Sequence, residues 1–175
     1  MQKSEYTKQC ITKAVIELLK TVPFDEMTIT KLVEYAKVSR GAFYNNFNSL
    51  EDVLKLAYTT AYDKCFADKE KINNYLLSDQ YIRDIICFFD ENTQLILGIS
   101  KWNLLSTITF KQTFTSFENA KQYDKFDQYN DYYIVYCWTN YFQMLLLWCL
   151  KGKQESSKEI YNLIREFDQS RGIER

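Results

Sequence analysis

From Ser4 to Val22, the residues Ile11, Ala14, Val15, Leu18, Leu19 and Val22 recur at steps of three and four. They make one apolar stripe on a helix whose other faces carry Lys8, Lys13 and Lys20. Pro23 ends that helix, because proline lacks a backbone donor and restricts the residue before it. A second, short helix opens after Thr28, a good N-cap, with Ile29, Leu32, Val33 and Ala36 on one side. A turn at Lys37-Val38 follows, and Ser39 caps a third helix. In it Phe43 and Phe47, four apart, share a buried face while Arg40, Tyr44 and Asn45 project from others. Gly41 inside so short a helix costs about 1 kcal/mol relative to alanine, so a packing or close-approach reason is expected for it. Ser49 and Asp52 have capping-box spacing ahead of a fourth helix that turns Leu50, Val53, Leu54, Ala57 and Ala61 inward and reaches about Phe66.

Beyond Asn73-Asn74 the pattern predicts helical segments near 79–89, 92–100, 103–118, 129–151 and 156–168, with a polar loop or fraying end at 119–128. Gly152 is a natural terminator and Ser156-Ser157 a natural restart. The last helix sets Ile160, Leu163, Ile164 and Phe167 on one side. Residues 132–150 hold no charge over a length close to that of a membrane-spanning helix. Against a span, Tyr133, Tyr136, Asn140 and Gln143 draw a hydrogen-bonding stripe down one side, and no basic cluster flanks the segment. A helix buried on most of its circumference in a bundle or dimer fits this pattern better. The expectation is an all-α protein: a three-helix helix-turn-helix head over 1–48 and a larger helical bundle over 49–175.

Composition sharpens that picture. One proline and four glycines in 175 residues leave few tight turns for a sandwich or a Rossmann-type fold. Histidine is absent, which excludes a His-based triad, a histidine general base and the usual His-containing zinc sites. With no Gly-rich phosphate loop and no nucleophile elbow either, the sequence offers no catalytic residue, no metal site and no cofactor motif. The five cysteines, none at CxxC spacing, read as small buried hydrophobes in a reducing compartment, with metal binding or redox sensing as the alternatives. The start of the chain has no apolar core of signal-peptide length, so a cytoplasmic protein is expected. Net charge is −1, yet residues 1–47 carry seven basic and five acidic side chains, so the head is positive and the body negative.

Arginine forks to guanine, asparagine pairs with adenine, and tyrosine reaches a phosphate or a thymine methyl, so Arg40, Tyr44 and Asn45 suit DNA. On spacing alone any three-helix head looks similar. Arg40 can equally form a surface salt bridge with Glu34 or Glu5, and Tyr44 can be a partly packed helix tyrosine. The order of residues says more. MTITKLVEYAKVSRGAFYNNFNSLEDVL, within a match over about residues 5–58, resembles the DNA-binding region of TetR/AcrR-type transcriptional regulators, most specifically at Val38 to Tyr44 with Phe47. The resemblance implies a homodimeric, ligand-responsive repressor on a palindromic operator in double-stranded DNA, each head placing its third helix in the major groove. It also implies contacts from Thr28, Thr30, Ser39, Arg40, Ala42, Tyr44 and Asn45, to which Lys31 and Lys37 add nearby basic charge as further candidate DNA contacts. Two residues depart from the family pattern: Lys37 stands at the usual turn glycine, and Leu50 at a common phosphate-contacting lysine.

For the body, the resemblance implies a dimer interface from the last two helices, here Leu145, Trp148, Ile160, Leu163, Ile164 and Phe167. Aromatics in the body divide between filling a core and lining a cavity. Phe66, Phe88, Trp102, Phe110, Tyr133 and Tyr136 are the candidates to surround a small aromatic or cationic effector. The alternative function is a dimeric DNA-binding or interaction module with no effector.

Overall fold

In a computed structural model of the chain, the described residues are 3–69, 75–101 and 128–170, and every regular element among them is helical. The α-helices are α1 (Lys3–Leu18), α2 (Ile29–Tyr35), α3 (Arg40–Tyr44), α4 (Leu50–Phe66), α5 (Asp79–Glu91), α6 (Thr93–Lys101), α7 (Gln128–Leu150) and α8 (Ser157–Ser170). Short 3-10 turns occupy Phe24–Glu26 and Tyr75–Leu77. The segment expected at 103–118, and the polar stretch after it up to 127, lie outside the described residues. No helix among the described residues is long and apolar enough to cross a membrane.

Contacts divide the chain elsewhere than at residue 48. The described residues up to Ala61, together with those from Asn92 to Lys101, form one compact unit; residues 62–91 and 128–170 form the other. In the first unit α1 packs on α2 and α3, burying Ile11, Val15, Leu32, Phe43 and Leu54 completely. The last turn of α1 loosens before the proline: Val22 N–H still donates to Leu18 O at 2.8 Å, but the regular helix closes at Leu18.

Helix α6 joins this unit through the 3-10 turn. Phe24 N–H donates to Gln94 Oε1 at 3.2 Å, and Lys101 pairs with Asp25. Gly98 turns its bare backbone to the Phe24 ring so closely that an added Cβ would lie 2.5 Å from a ring carbon. A helix that hydropathy pattern assigns to the body is thereby packed on the head.

The second unit is held by aromatic contacts and by polar ties to α5. The Phe66 ring lies 5.6 Å from Phe88 and 6.1 Å from Tyr81, and Tyr62 meets Phe66 at 4.5 Å. Arg83 of α5 covers the Tyr161 ring at 4.2 Å, Arg165 of α8 pairs with Asp79 at 3.3 Å, and Lys153 pairs with Asp90 at 2.6 Å. Of the five cysteines, Cys137 and Cys149 are buried, as expected of small hydrophobes, whereas Cys87 is exposed on α5. Partial burial and then the Glu91 carboxylate push its thiol above the usual range, which disfavours the thiolate.

The Gly98–Phe24 contact yields a direct test. Gly98→Ala gains helix propensity but must displace a buried ring, so it should destabilise the protein by about 1–3 kcal/mol in a denaturant titration. Gly98→Ala in a Phe24→Leu background should cost less than the same change beside Phe24.

Candidate nucleic-acid interface

Local chemistry sets the two helices that face outward. Thr28 caps α2, accepting at Oγ1 from Lys31 N–H at 3.2 Å, and Ser39 caps α3, accepting at Oγ from Ala42 N–H at 3.0 Å. Between them the chain reverses at Lys37, which adopts φ +54°. Val38 N–H donates to Val33 O at 3.0 Å and Lys37 N–H to Glu34 O at 3.2 Å, the paired bonds of a Schellman ending. The end of α7 repeats the motif: Gly152 has φ +75°, Lys153 N–H donates to Trp148 O at 2.9 Å and Gly152 N–H to Cys149 O at 3.0 Å. The turn into α3 thus keeps glycine's conformation while carrying a lysine.

Helix α3 is anchored from beneath by Phe43 and Phe47, both buried, whose rings lie 5.9 Å apart. Its regular part stops at Tyr44, shorter than the spacing predicts, and Phe47 N–H still donates to Phe43 O at 2.9 Å. Asn46, whose spacing leaves it open to solvent, works inward. Its Nδ2 donates to Ala42 O at 2.7 Å and its Oδ1 accepts from Ser4 Oγ at 2.6 Å, tying α3 to the start of α1. No pattern of hydrophobic positions signals that tie, since it joins two polar residues forty-two positions apart.

On the outer side, Thr28, Thr30, Lys31, Lys37, Ser39, Arg40, Tyr44 and Asn45 are all exposed and Ala42 is half-buried. The Tyr44 ring is 52% exposed and meets Phe43 edge-on at 5.2 Å, so its base is braced and its hydroxyl is free to reach outward. Arg40 and Lys37 make no ion pair among the described residues, and Arg40 therefore bonds to neither Glu34 nor Glu5. Lys31 approaches Glu26 at 3.5 Å in a pair exposed on both sides, a contact weak enough to exchange for a phosphate. Lys37 in the turn, Arg40 and Tyr44 on α3 and Asn45 at its end form an exposed surface suited to the backbone and base edges of DNA.

Residues 11–57, spanning α1 to mid-α4, match the family described as bacterial regulatory proteins, tetR family. The head thus carries a TetR-type DNA-binding region. A similar protein of Lactococcus lactis subsp. lactis (strain IL1403) is named the HTH-type dhaKLM operon transcriptional activator DhaS. It is 25% identical over 122 residues, 64% of this chain and 65% of that protein, so the match spans just under two thirds of the relative's length.

Set against the TetR-family pattern, the two departures have different outcomes. Lys37 substitutes for the turn glycine by entering the left-handed region itself, at a conformational cost. Leu50 is buried at the start of α4 instead of offering an exposed lysine; there Asp52 N–H donates to Ser49 Oγ at 3.2 Å, while the Asp52 carboxylate accepts from Asn48 N–H at 3.3 Å, one residue ahead of the N–H that a capping box uses.

The body residues are placed as follows. Leu145, Trp148, Ile160 and Ile164 are buried within the chain's own second unit, while Leu163 and Phe167 are exposed. Tyr132, Val135, Tyr136, Leu147 and Leu150 are exposed along one side of α7, a surface that hydropathy alone hides because the helix is apolar all round. Phe66 and Phe88 are buried in the aromatic cluster, Tyr133 is half-buried, and Trp102 and Phe110 lie outside the described residues. Tyr136 lines a cavity of ≈ 200 Å³ between α7 and α8, beside Tyr141, whose hydroxyl donates to the buried Asp168 carboxylate at 2.9 Å.

The left-handed lysine separates stability from binding. Lys37→Gly should raise the unfolding free energy by about 1 kcal/mol, a rise of roughly 2–4 °C in Tm for a chain of this size. Calorimetry measures it; an unchanged or lower Tm would show that Lys37 is not strained.

Proposed function

We propose that the chain is a homodimeric transcription regulator that binds a palindromic operator through α3 and acts in the cytoplasm. The observation that carries this reading is the outward set of Arg40, Tyr44 and Asn45 on a helix whose Phe43 and Phe47 are sunk in the head. Arg40 is the base-reading fork; Tyr44, Thr28, Thr30 and Ser39 serve phosphates; Lys37 and Lys31 supply charge in place of the lysine missing at position 50. Ala42 and Asn45 complete the surface of α3 that follows the groove.

A second copy is the partner that the exposed apolar stripe on α7 and the exposed Leu163 and Phe167 of α8 support. The residues offering that surface are the exposed ones, with Leu145, Trp148, Ile160 and Ile164 backing them from inside. Binding of a small aromatic or cationic effector in the aromatic body would change operator affinity by favouring one spacing of the two heads. The close packing of Phe66 against Phe88 and Tyr81 favours a second reading, a DNA-binding module without an effector. Titration calorimetry against aromatic and cationic compounds separates the two. The repressor sense follows from the family resemblance, whereas the Lactococcus protein is named an activator. A reporter driven from the selected operator reads the sense directly.

Selection of bound sequences from a random duplex pool should yield a palindrome. On it, Arg40→Ala should cost about 1–3 kcal/mol and relax preference at one position per half-site. Tyr44→Phe should weaken all sequences alike. Lys37→Ala should make the salt dependence shallower by about one unit of slope for each phosphate that Lys37 neutralises. Recovery of no palindromic motif would sink the reading. Independently, Leu147→Glu with Phe167→Glu should convert a sedimenting dimer to monomer while leaving helicity intact; an unchanged dimer would move the interface elsewhere.

A further inference from the structure

Each of the other two glycines among the described residues has an internal reason to lack a side chain. Gly98 faces the Phe24 ring with no room for a Cβ, and Gly152 has a positive φ. Gly41 has neither. It sits in the first turn of α3 without a positive φ, exposed to solvent, and among the described residues a Cβ built there would meet only Ser39 Oγ at 3.8 Å, an ordinary contact. Glycine is the least helix-favouring residue after proline, so within the fold alanine would serve better. Nothing among the described residues calls for glycine at this position.

Its surroundings supply a reason. Tyr44 and Asn45 follow Gly41 by three and four residues, so all three share the outward side of α3, with Arg40 adjacent. Gly41 is thus a notch of bare Cα among longer side chains, in the middle of the surface assigned to DNA. The notch offers no side-chain hydrogen-bonding group, so the polar edge of a base pressed into it finds no side-chain partner. Among the base edges in the major groove, the thymine C5-methyl is the apolar group that projects.

We infer that Gly41 is the point of closest approach between α3 and the operator, and that its notch receives a thymine methyl. This rests on the DNA-binding reading above and adds a residue that selects sequence by shape, beside Arg40, which selects by hydrogen bonds.

The test uses the full chain and the operator recovered by selection, with wild-type binding measured first. Failure of the wild type to bind any duplex would count against the DNA-binding reading and not against the notch. Given wild-type binding, Gly41→Ala should keep or raise the melting temperature and weaken operator binding by roughly tenfold or more. Replacing thymines one at a time by deoxyuridine, which removes only the methyl, should restore Gly41→Ala binding at one position in each half-site. Full affinity of Gly41→Ala, a fall in its melting temperature, or weakened binding that no deoxyuridine restores would each overturn the inference.

Discussion

Lys37 stands at φ +54°, and on that one backbone reversal depends where α3 points. The Schellman bonds from Val38 to Val33 and from Lys37 to Glu34 close α2, after which Ser39 starts α3 at once by capping Ala42 N–H. A lysine in this conformation places its Cβ against its own backbone, a cost that glycine at position 152 avoids in the same motif. The reversal persists because it is over-determined: Leu32, Val33, Phe43 and Phe47 are all buried, and another turn would withdraw one pair from the core. What the strain accompanies is an exposed cation placed between the two helices that face outward.

The head is built from more of the chain than its first three helices. Phe24 is held between a backbone bond to Gln94 and the bare face of Gly98, so α6, distant in sequence, belongs to the same compact unit as α1 to α3. Helix α4 passes out of that unit after Ala61, and the chain re-enters it at Asn92. Among the described residues the chain thus crosses between the two units after Ala61 and again before Asn92.

The second unit divides the labour of its hydrophobic residues by face. Along α7, Cys137, Tyr141, Leu145, Trp148 and Cys149 turn inward while Tyr132, Val135, Leu147 and Leu150 remain exposed. Along α8, Ile160, Ile164 and Asp168 are inward at steps of four, with Leu163 and Phe167 exposed beside them. Burial inside one chain and availability to a second copy are therefore properties of neighbouring positions on the same helices.

Period and capping chemistry were enough to foresee the described helices, because stripes at three and four and the caps at Thr28, Ser39 and Ser49 act within one or two turns of chain. The TetR-type character of the head, too, was legible, since its marks lie in an uninterrupted run from Val38 to Phe47. Four things needed the tertiary structure. Lys37 takes the left-handed turn only because distant side chains hold it there. Asn46 is spent on Ser4, and α6 lies with the head, through contacts between residues far apart in sequence. Which apolar face of α7 is covered has no signature in a helix that is apolar all round, because hydropathy counts residues and burial depends on what packs against them.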